Sequence, residues 1–135
     1  MEQKPRIGVG VLIMKDGKVL MGQRAGRHGN KTYAPPGGHL EFNETLIECA
    51  LREVLEETGL VVANPMVATF SEDFYQAEEK HYVTFLVTVD WVSGEPSICE
   101  PDKCLGWDWY DYEKLPQPLF LSMQNMINNG FNPFK

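Results

Sequence analysis

Residues 45–59 constrain the fold more than any other stretch, because they carry the start, the apolar stripe and the end of one helix. Thr45, with Glu48 three residues later, has the form of a capping box, and Gly59 stands where the helix would end. Apolar residues recur between these signals at helical spacing, at Leu46, Ile47, Ala50, Leu51, Val54 and Leu55. The pattern predicts a helix over 45–58 that lays an apolar face against a core.

The segments before this helix predict a β-hairpin and a loop. Residues 6–14 and 18–22 are rich in strand-forming residues, and the Asp16-Gly17 pair between them is a strong turn signal. Residues 25–39 concentrate glycine and proline, which is typical of a chain that turns sharply or brings its backbone close to a ligand. We therefore expect a hairpin followed by a long loop.

The segments after the helix predict three strands and a second helix. The strands are expected at 66–74, 81–91 and 106–112, and an amphipathic helix at 118–130. A chain of 135 residues is the size of one globular domain, so residues 1–135 are expected to fold as one unit. The order of the elements predicts an α/β fold with a mixed sheet.

Charge and composition exclude several classes of protein. A net charge of -7 argues against broad contact with duplex nucleic acid, but clustered carboxylates can still hold a phosphate-bearing ligand through a divalent cation. Cys49, Cys99 and Cys104 lack CxxC spacing, so we expect reduced thiols in or near the core. The sequence shows neither a secretory signal nor the ~20 apolar residues of a membrane span. We expect a cytoplasmic protein that does not contact membranes.

The predicted helix gathers three acidic side chains on one stripe. At about 100° per residue, Glu53, Glu56 and Glu57 fall within a stripe about 100° wide. Like charges at this spacing destabilise a helix by a few tenths of a kcal/mol per pair, which a binding partner would offset. Mg²⁺ and Mn²⁺ fit, because they take oxygen ligands and retain waters for a phosphate-bearing substrate. The charges alone leave a merely solvated surface as the alternative.

A longer pattern favours the metal site over the solvated surface. From residue 38 the chain reads glycine, five residues, glutamate, seven residues, then Arg-Glu-apolar-x-Glu-Glu-x-Gly-apolar. The matching positions are Gly38, Glu44, Arg52, Glu53, Val54, Glu56, Glu57, Gly59 and Leu60. This stretch resembles the box of the Nudix hydrolase family without a departure. The resemblance implies an α/β/α sandwich that uses Mg²⁺ or Mn²⁺ to split the pyrophosphate bond of a nucleoside diphosphate linked to another moiety.

The resemblance also implies which residues hold the metal. Glu53 and Glu57 match the family positions that bind it, and Glu56 supplies a further carboxylate, directly or through water. The backbone carbonyl of Gly38 joins these ligands in many relatives. Glu100 sits where some relatives add another metal-binding glutamate, although it reads equally well as a loop charge.

Two further positions of the box imply supporting catalytic roles. Arg52 and Glu44 match positions that orient the catalytic carboxylates. Water bound to a divalent ion is more acidic, and a neighbouring carboxylate can take its proton as it attacks phosphorus. Glu53 is the first choice for this base. No catalytic role is expected for His28, His39 or His81.

From Arg6 to Phe134 the chain is similar to the MutT-type nucleoside triphosphate diphosphatases. Their counterpart of Arg24 contacts substrate phosphates, and backbone near Gly37 helps to form the base pocket. The rest of that pocket matches Phe120, Leu121, Ser122 and Met123. Leu121 and Ser122 replace an aromatic residue and a glycine, and Pro35 replaces an apolar leucine, so the base preference stays open. Phe120 has two interpretations, a stacking residue or a core residue.

Three functions follow from the sequence. The first is hydrolysis of a nucleoside triphosphate to a monophosphate and pyrophosphate, as in sanitation of the nucleotide pool. The second is hydrolysis of a nucleoside diphosphate derivative, such as a dinucleoside polyphosphate or sugar nucleotide, with Tyr75 as a stacking residue. The third is a non-catalytic binding module. In such a module we would expect metal-binding glutamates of the box to be replaced, and none is replaced. The expected partner is a small nucleotide, and a homodimer is left open.

Overall fold

The computed structural model describes residues 3–26 and 28–135. Residues 1, 2 and 27, which belong to the predicted domain and to the predicted loop, lie outside the described residues. Within the described part the strands are β1 Arg6–Lys15, β2 Lys18–Arg24, β3 Tyr33–Ala34, β4 Gly37–His39, β5 Val61–Tyr75, β6 Lys80–Ser93 and β7 Cys104–Asp111. The helices there are α1 Leu46–Thr58 and α2 Leu121–Asn128, with a 3₁₀ turn at Tyr112–Lys114.

The strands form one mixed sheet. Its main path runs β3-β2-β1-β6-β5, with β4 paired to β1 and β7 paired to β2. β1 and β6 are parallel, and the other pairs are antiparallel. The α/β fold with a mixed sheet that the sequence predicts is therefore confirmed.

Alternating side chains on β1 divide the interior into two cores. Val9, Val11 and Ile13 lie in a core with the buried face of α1. Leu12 points to the other face of the sheet and packs with Met123 of α2. Because successive strand residues face opposite sides, the sheet is covered by one helix on each face, which gives the expected α/β/α layers.

Helix α1 begins and ends at the predicted signals. The Thr45 side chain accepts a hydrogen bond from the Glu48 backbone N–H, and Glu48 accepts one from the Thr45 N–H. Gly59 takes the left-handed conformation at φ 72°, which glycine adopts without steric cost. The buried face differs from the predicted one: Leu51 and Leu55 are exposed, and Cys49 and Thr58 are buried instead.

Several predicted boundaries are wrong. The long loop contains β3 and β4, since the Gly37 and Gly38 backbone pairs with β1. β5 begins at Val61 rather than at 66, β6 runs to Ser93, and α2 is shorter than 118–130. Leu119 precedes α2 and bridges to Tyr33 instead. Long-range pairing that short sequence windows do not record sets these limits.

The cysteines and the helix lengths bear on two other expectations. Cys49 and Cys104 are buried free thiols, as expected, whereas Cys99 is exposed. Among the described residues, neither helix combines the length and the apolar character needed to cross a bilayer.

Candidate active site

Arg52 joins three glutamates of the box. Its Nε and Nη2 donate to the two carboxylate oxygens of Glu44 at 2.7 and 3.0 Å, which is a forked ion pair. Its Nη1 donates to Glu53 at 2.7 Å and to Glu56 at 2.9 Å. The hydrogen bonds from Arg52 lower the pKa of Glu44 to about 2 and raise the pKa of Arg52 itself. We call Glu44, Glu53, Glu56 and Glu57 the carboxylate cluster.

The loop before α1 brings Glu44 to Arg52. The backbone N–H of Glu41 donates to Glu44 Oε1 at 3.1 Å, and Asn43 adopts a φ of 70° in the turn. Arg52 Nη2 also donates to the His39 carbonyl oxygen at 3.2 Å. Arg52 therefore ties the end of β4 and the loop to the helix, and it holds the carboxylates in place as it does so.

Glu53 and Glu57 face β4 rather than open solvent. The Gly37 N–H donates to Glu57 Oε1 at 3.0 Å. A Cβ built at Gly38 would lie 2.5 Å from the Glu53 carboxyl carbon, so only glycine allows this approach. The solvated surface that the charges alone leave as the alternative does not describe these two side chains: Glu53 is only 13% exposed, whereas Glu56 is 45% exposed.

Burial changes the acidity of the pair. It is the main reason that the pKa of Glu57 rises to about 8, and the charges of Glu53 and Glu100 contribute to this rise. Burial also raises the pKa of Glu53, against the opposing effect of Arg52. Two neighbouring carboxylates that are costly to ionise are what a bound cation stabilises.

The donor set fits a hard divalent cation. Glu53 and Glu56 bind Arg52 through Oε1, and Glu57 accepts the Gly37 N–H through Oε1. Glu53 and Glu57 also share a hydrogen bond, so their carboxyl groups lie side by side. Oxygen donors of this type suit Mg²⁺ and Mn²⁺. As they stand, the described residues bring no three acidic, histidine or cysteine side chains together in a geometry that holds a metal. Arg52 already binds one oxygen each of Glu53 and Glu56, so these carboxylates would have to turn before they could hold a metal ion.

Three members of the carboxylate cluster, Glu53, Glu56 and Glu57, lie in the wall of a cavity of about 560 Å³, whereas Glu44 does not line it. Glu100 also lines this cavity, where it is paired with Lys103 at 3.5 Å. The cationic side chains along the wall are Arg6, Arg24, Arg52, Lys80 and Lys103. A cavity with both carboxylates and several cations suits a polyanion that is bound with a metal.

Arg24 is held against Phe120 at this cavity. Its guanidinium carbon lies 4.3 Å from the ring centroid, and Nε donates to the His28 carbonyl oxygen at 3.2 Å. A Cβ at Gly29 would come within 2.5 Å of the same ring, so glycine permits the loop to close over it. Burial lowers the pKa of Arg24, yet a guanidinium stays charged at neutral pH. The cation is thus oriented and partly stripped of water.

Four rings form an aromatic cluster beside Arg24: His28, Tyr75, Tyr82 and Phe120. The His28 centroid lies 4.5 Å from Tyr75, 5.6 Å from Tyr82 and 5.4 Å from Phe120. Glu78 holds the imidazole through a 2.6 Å contact with Nδ1. His39 stacks on Tyr82 at 5.6 Å, and Nε2 lies 2.9 Å from its hydroxyl. His28 and His39, which the sequence leaves without a role, therefore shape one end of the cavity.

The structure divides the predicted base-pocket residues into two groups. Phe120 and Ser122 line the cavity together with Gly37. Met123 is 1% exposed and packs in the core under α2, and Leu121 is not among the lining residues. A helix turns by about 100° per residue, so four successive residues cannot all face one cavity.

Sequence analysis missed Tyr82 and Thr84 as cavity residues and Asp73 behind them. Tyr82 and Thr84 face the cavity from alternate positions of β6. The period of two in "HYVT" is the signal that could have placed them on one face. Asp73 lies in β5 and is fully buried. The sequence does not predict this, because acidic residues are mostly exposed.

Comparison with known proteins places this cavity in a family. Residues 4–129 match the NUDIX domain. The chain is 33% identical over 106 residues to the NAD-capped RNA hydrolase NudC of Vibrio cholerae. The aligned residues cover 78% of this chain and 37% of that protein. It is 29% identical over 119 residues to the ADP-ribose pyrophosphatase of Methanocaldococcus jannaschii, covering 86% of this chain and 68% of that protein. The chain thus spans little more than a third of the length of NudC.

A solved structure supports the same relationship along the whole fold. The MutT NUDIX hydrolase from Burkholderia pseudomallei superposes with a TM-score of 0.84 at 28% identity, over 93% of this chain and 95% of that one. The fold, the box geometry and the domain match agree. This chain belongs to the Nudix hydrolase family.

Proposed function

We propose that the chain hydrolyses the pyrophosphate bond of a small nucleotide in the presence of Mg²⁺ or Mn²⁺. One observation carries the proposal: a single cavity joins the carboxylate cluster to Arg24 and the aromatic cluster. Carboxylates that can hold a cation, a guanidinium for phosphates and rings for a base are the three parts that a nucleotide pyrophosphohydrolase needs. The sheet connects all of these parts, so we propose that residues 1–135 act as one domain.

Glu53 and Glu57 would hold the metal, with Glu56, Glu100 and the Gly38 carbonyl as further donors. Glu53 and Glu57 are the closest to the β4 backbone, and Glu100 raises the pKa of Glu57 through its charge. The bound ion would neutralise phosphate charge and lower the pKa of the attacking water.

Glu53 would accept the proton of the attacking water. Its carboxylate lines the cavity at the proposed metal site, where it can take a proton from a water bound to the ion. Arg52 holds one oxygen of Glu53 at 2.7 Å and is itself held by both oxygens of Glu44. Arg52 and Glu44 would therefore fix the direction in which the base points.

Arg24 and the neighbouring aromatic cluster would bind the phosphate and the base of the substrate. Arg24 keeps its charge and is oriented by Phe120, so it can pair with phosphate oxygens. Phe120 presents a ring at the cavity wall, where a base can stack on it. Ser122 and the backbone of Gly37 contribute polar atoms nearby.

For the substrate we propose a nucleoside diphosphate derivative. The names of the two curated relatives support this choice, because ADP-ribose and an NAD cap both contain a diphosphate bridge. The cavity wall offers cations beyond Arg24, among them Arg6 and Lys80, which suit a substrate that extends past the first phosphate. Tyr75 remains a stacking candidate, now within the aromatic cluster.

A nucleoside triphosphate is the second candidate. The solved structure of the MutT NUDIX hydrolase covers 93% of this chain. We infer a likeness to the human thiopurine nucleotide diphosphatase from the residues outside the box alone. Hydrolysis in ¹⁸O-labelled water would test this reaction in detail. Label in pyrophosphate indicates attack at the β-phosphorus, and label in the monophosphate indicates attack at the α-phosphorus.

The deciding experiment is a substrate panel with Mg²⁺, in which chromatography resolves the products. ADP-ribose, NAD, a dinucleoside polyphosphate, a sugar nucleotide and the common triphosphates would be compared by kcat/KM. We expect a diphosphate derivative to rank first and Glu95→Gln, an exposed matched control, to keep the wild-type ranking. A triphosphate in first place would favour the second candidate, and no metal-dependent turnover of any member would overturn the proposed hydrolase.

A further inference from the structure

Asp73 is a fully buried carboxylate that the proposed hydrolysis does not use. It is 0% exposed. Its Oδ2 accepts hydrogen bonds from Thr84 Oγ1 at 2.7 Å and from Ser71 Oγ at 3.2 Å. Its Oδ1 accepts one from Asn125 Nδ2 at 2.9 Å. Because a buried charge without partners is very costly, three donors on both oxygens are what keep this carboxylate in place.

This network fixes the polarity of Thr84. A hydroxyl has one proton and two lone pairs, and a carboxylate can only accept hydrogen bonds. The 2.7 Å contact therefore takes the Thr84 proton toward Asp73. Toward any ligand, Thr84 Oγ1 can offer lone pairs alone, so it acts only as an acceptor.

Thr84 stands where a ligand can reach it. It lies two residues after Tyr82 on the same face of β6, and both side chains line the cavity. On neighbouring β1, Gly8 has no side chain, and a Cβ there would come within 3.4 Å of Thr84 Oγ1. Thr84 is only 8% exposed, and the absence of a side chain at Gly8 leaves room beside its hydroxyl that any other residue would fill.

Asp73 also connects the cavity to α2. The Asn125 amide donates to the Glu72 carbonyl oxygen at 3.3 Å as well as to Asp73, and two acceptors leave only one orientation for the amide. Ser122, one turn earlier on α2, lines the cavity. The same carboxylate thus holds two walls of the cavity relative to each other.

We propose that Thr84, polarised by Asp73, selects nucleobases that present an N–H donor to β6. The exocyclic amino groups of adenine, guanine and cytosine are donors of this kind, and a base edge without a donor leaves the Thr84 oxygen unpaired. The inference rests on the proposed function only in assuming that a nucleotide occupies the cavity. Thr84 and Asp73 are then specificity-determining residues that take no part in bond cleavage.

The test measures binding, so that it does not depend on turnover. Calorimetry would compare nucleoside monophosphates in pairs that differ by one donor: adenosine against unsubstituted purine riboside, guanosine against inosine, and cytidine against its analogue without the 4-amino group. We expect the wild type to prefer the donor-bearing member of at least one pair by about tenfold, the usual effect of one hydrogen bond. A preference below twofold in every pair would overturn the inference.

Variants then assign any preference to the network. Thr84→Val keeps the shape of the side chain and should reduce the preference to below threefold, whereas Thr84→Ser should retain it. Asp73→Asn can donate to Thr84 and release the hydroxyl proton toward the cavity, so the preference should shrink or reverse. A full preference in folded Thr84→Val would overturn the inference. Absence of hydrolysis by the wild type would instead overturn the proposed function alone.

Discussion

The carboxylate cluster and the aromatic cluster share one cavity, but the chain builds them in different ways. The carboxylate cluster and its glycine contacts come from residues 37–57, and its main contacts are charge-assisted bonds of 2.7–3.0 Å to Arg52. The aromatic cluster draws on segments as distant as His28 and Phe120, held by ring contacts. The first region is thus local and ionic, whereas the second depends on the complete fold.

This difference predicts that the two regions affect different kinetic parameters. Charge at the carboxylate cluster should control the chemical step, because these carboxylates would hold the metal and accept the proton of the attacking water. Ring contacts at the aromatic cluster should control substrate affinity and base preference, because stacking acts alike in the ground state and the transition state. Substitutions at the two regions should therefore separate kcat from KM.

The largest effect should come from Glu53→Gln and Glu57→Gln. Each removes a charge from the proposed metal site, and we expect kcat with saturating Mg²⁺ to fall by about 10³-fold or more. Glu53→Gln should lose at least as much as Glu57→Gln, since Glu53 is also the proposed base. Steady-state kinetics, with circular dichroism to verify folding, would measure this.

Glu95→Gln serves as the matched control for these variants, because Glu95 is exposed and does not line the cavity. It should behave as wild type. Near-normal turnover by folded Glu57→Gln at saturating Mg²⁺ would remove Glu57 from the mechanism and weaken the contrast between the two regions.

Arg52→Lys should give the next largest effect. A lysine keeps the positive charge but cannot reproduce the fork to Glu44 together with the bonds to Glu53 and Glu56. We expect kcat to fall by about 10- to 100-fold, as for other groups that orient metal ligands, with a smaller change in KM. Equal kcat in the variant and the wild type would show that charge alone is enough at this position.

Phe120→Ala tests the aromatic cluster. Loss of base stacking of about 1 to 3 kcal/mol should raise KM by about 5- to 150-fold, more for purines than for pyrimidines. kcat should fall less, although Arg24 loses the ring that supports it 4.3 Å away. Phe134→Ala, near the C-terminus and outside the cavity, is the control. An unchanged KM for every base would leave Phe120 as a packing residue and direct attention to Tyr75.

The same contrast explains what the sequence could predict. The spacing from Gly38 to Glu57 is fixed by one helix and the loop before it, so a local pattern contains the carboxylate cluster almost completely. The pattern could not indicate that Glu53 and Glu57 turn toward β4, because that depends on β4 pairing with β1.

The aromatic cluster and the hydrogen bonds around Asp73 had no comparable local pattern. His28 meets Glu78 across 50 residues of sequence, and Asn125 meets Asp73 across 52. Family resemblance indicated residues 120–123, but only the phase of α2 separates Ser122 in the cavity wall from Met123 in the core. Contacts of this range become visible only when the strand order is known.

The smallest effect we predict separates two members of the carboxylate cluster by the sign of their pH dependence. The pKa of Glu44 falls from 4.5 to about 2 in the folded protein, mainly through Arg52. Its ionised form therefore adds stability above pH 4.5, and this stability is lost as the pH falls from 4.5 toward 2. The pKa of Glu57 rises from 4.5 to about 8, mainly through burial, so in metal-free protein it removes stability as the pH rises from 4.5 to 8.

Thermal unfolding with EDTA between pH 2.5 and 8.5 would measure both slopes as differences from the wild type. Glu44→Gln should flatten the loss of Tm on the acid side only, and Glu57→Gln should flatten the decline on the neutral side only. Mg²⁺ should remove the neutral-side decline of the wild type, because a cation at Glu57 stabilises the ionised form. If both variants changed Tm on the same side of the pH profile, Glu44 and Glu57 would share one environment. The assignment of opposite effects to Arg52 and to burial would then be wrong.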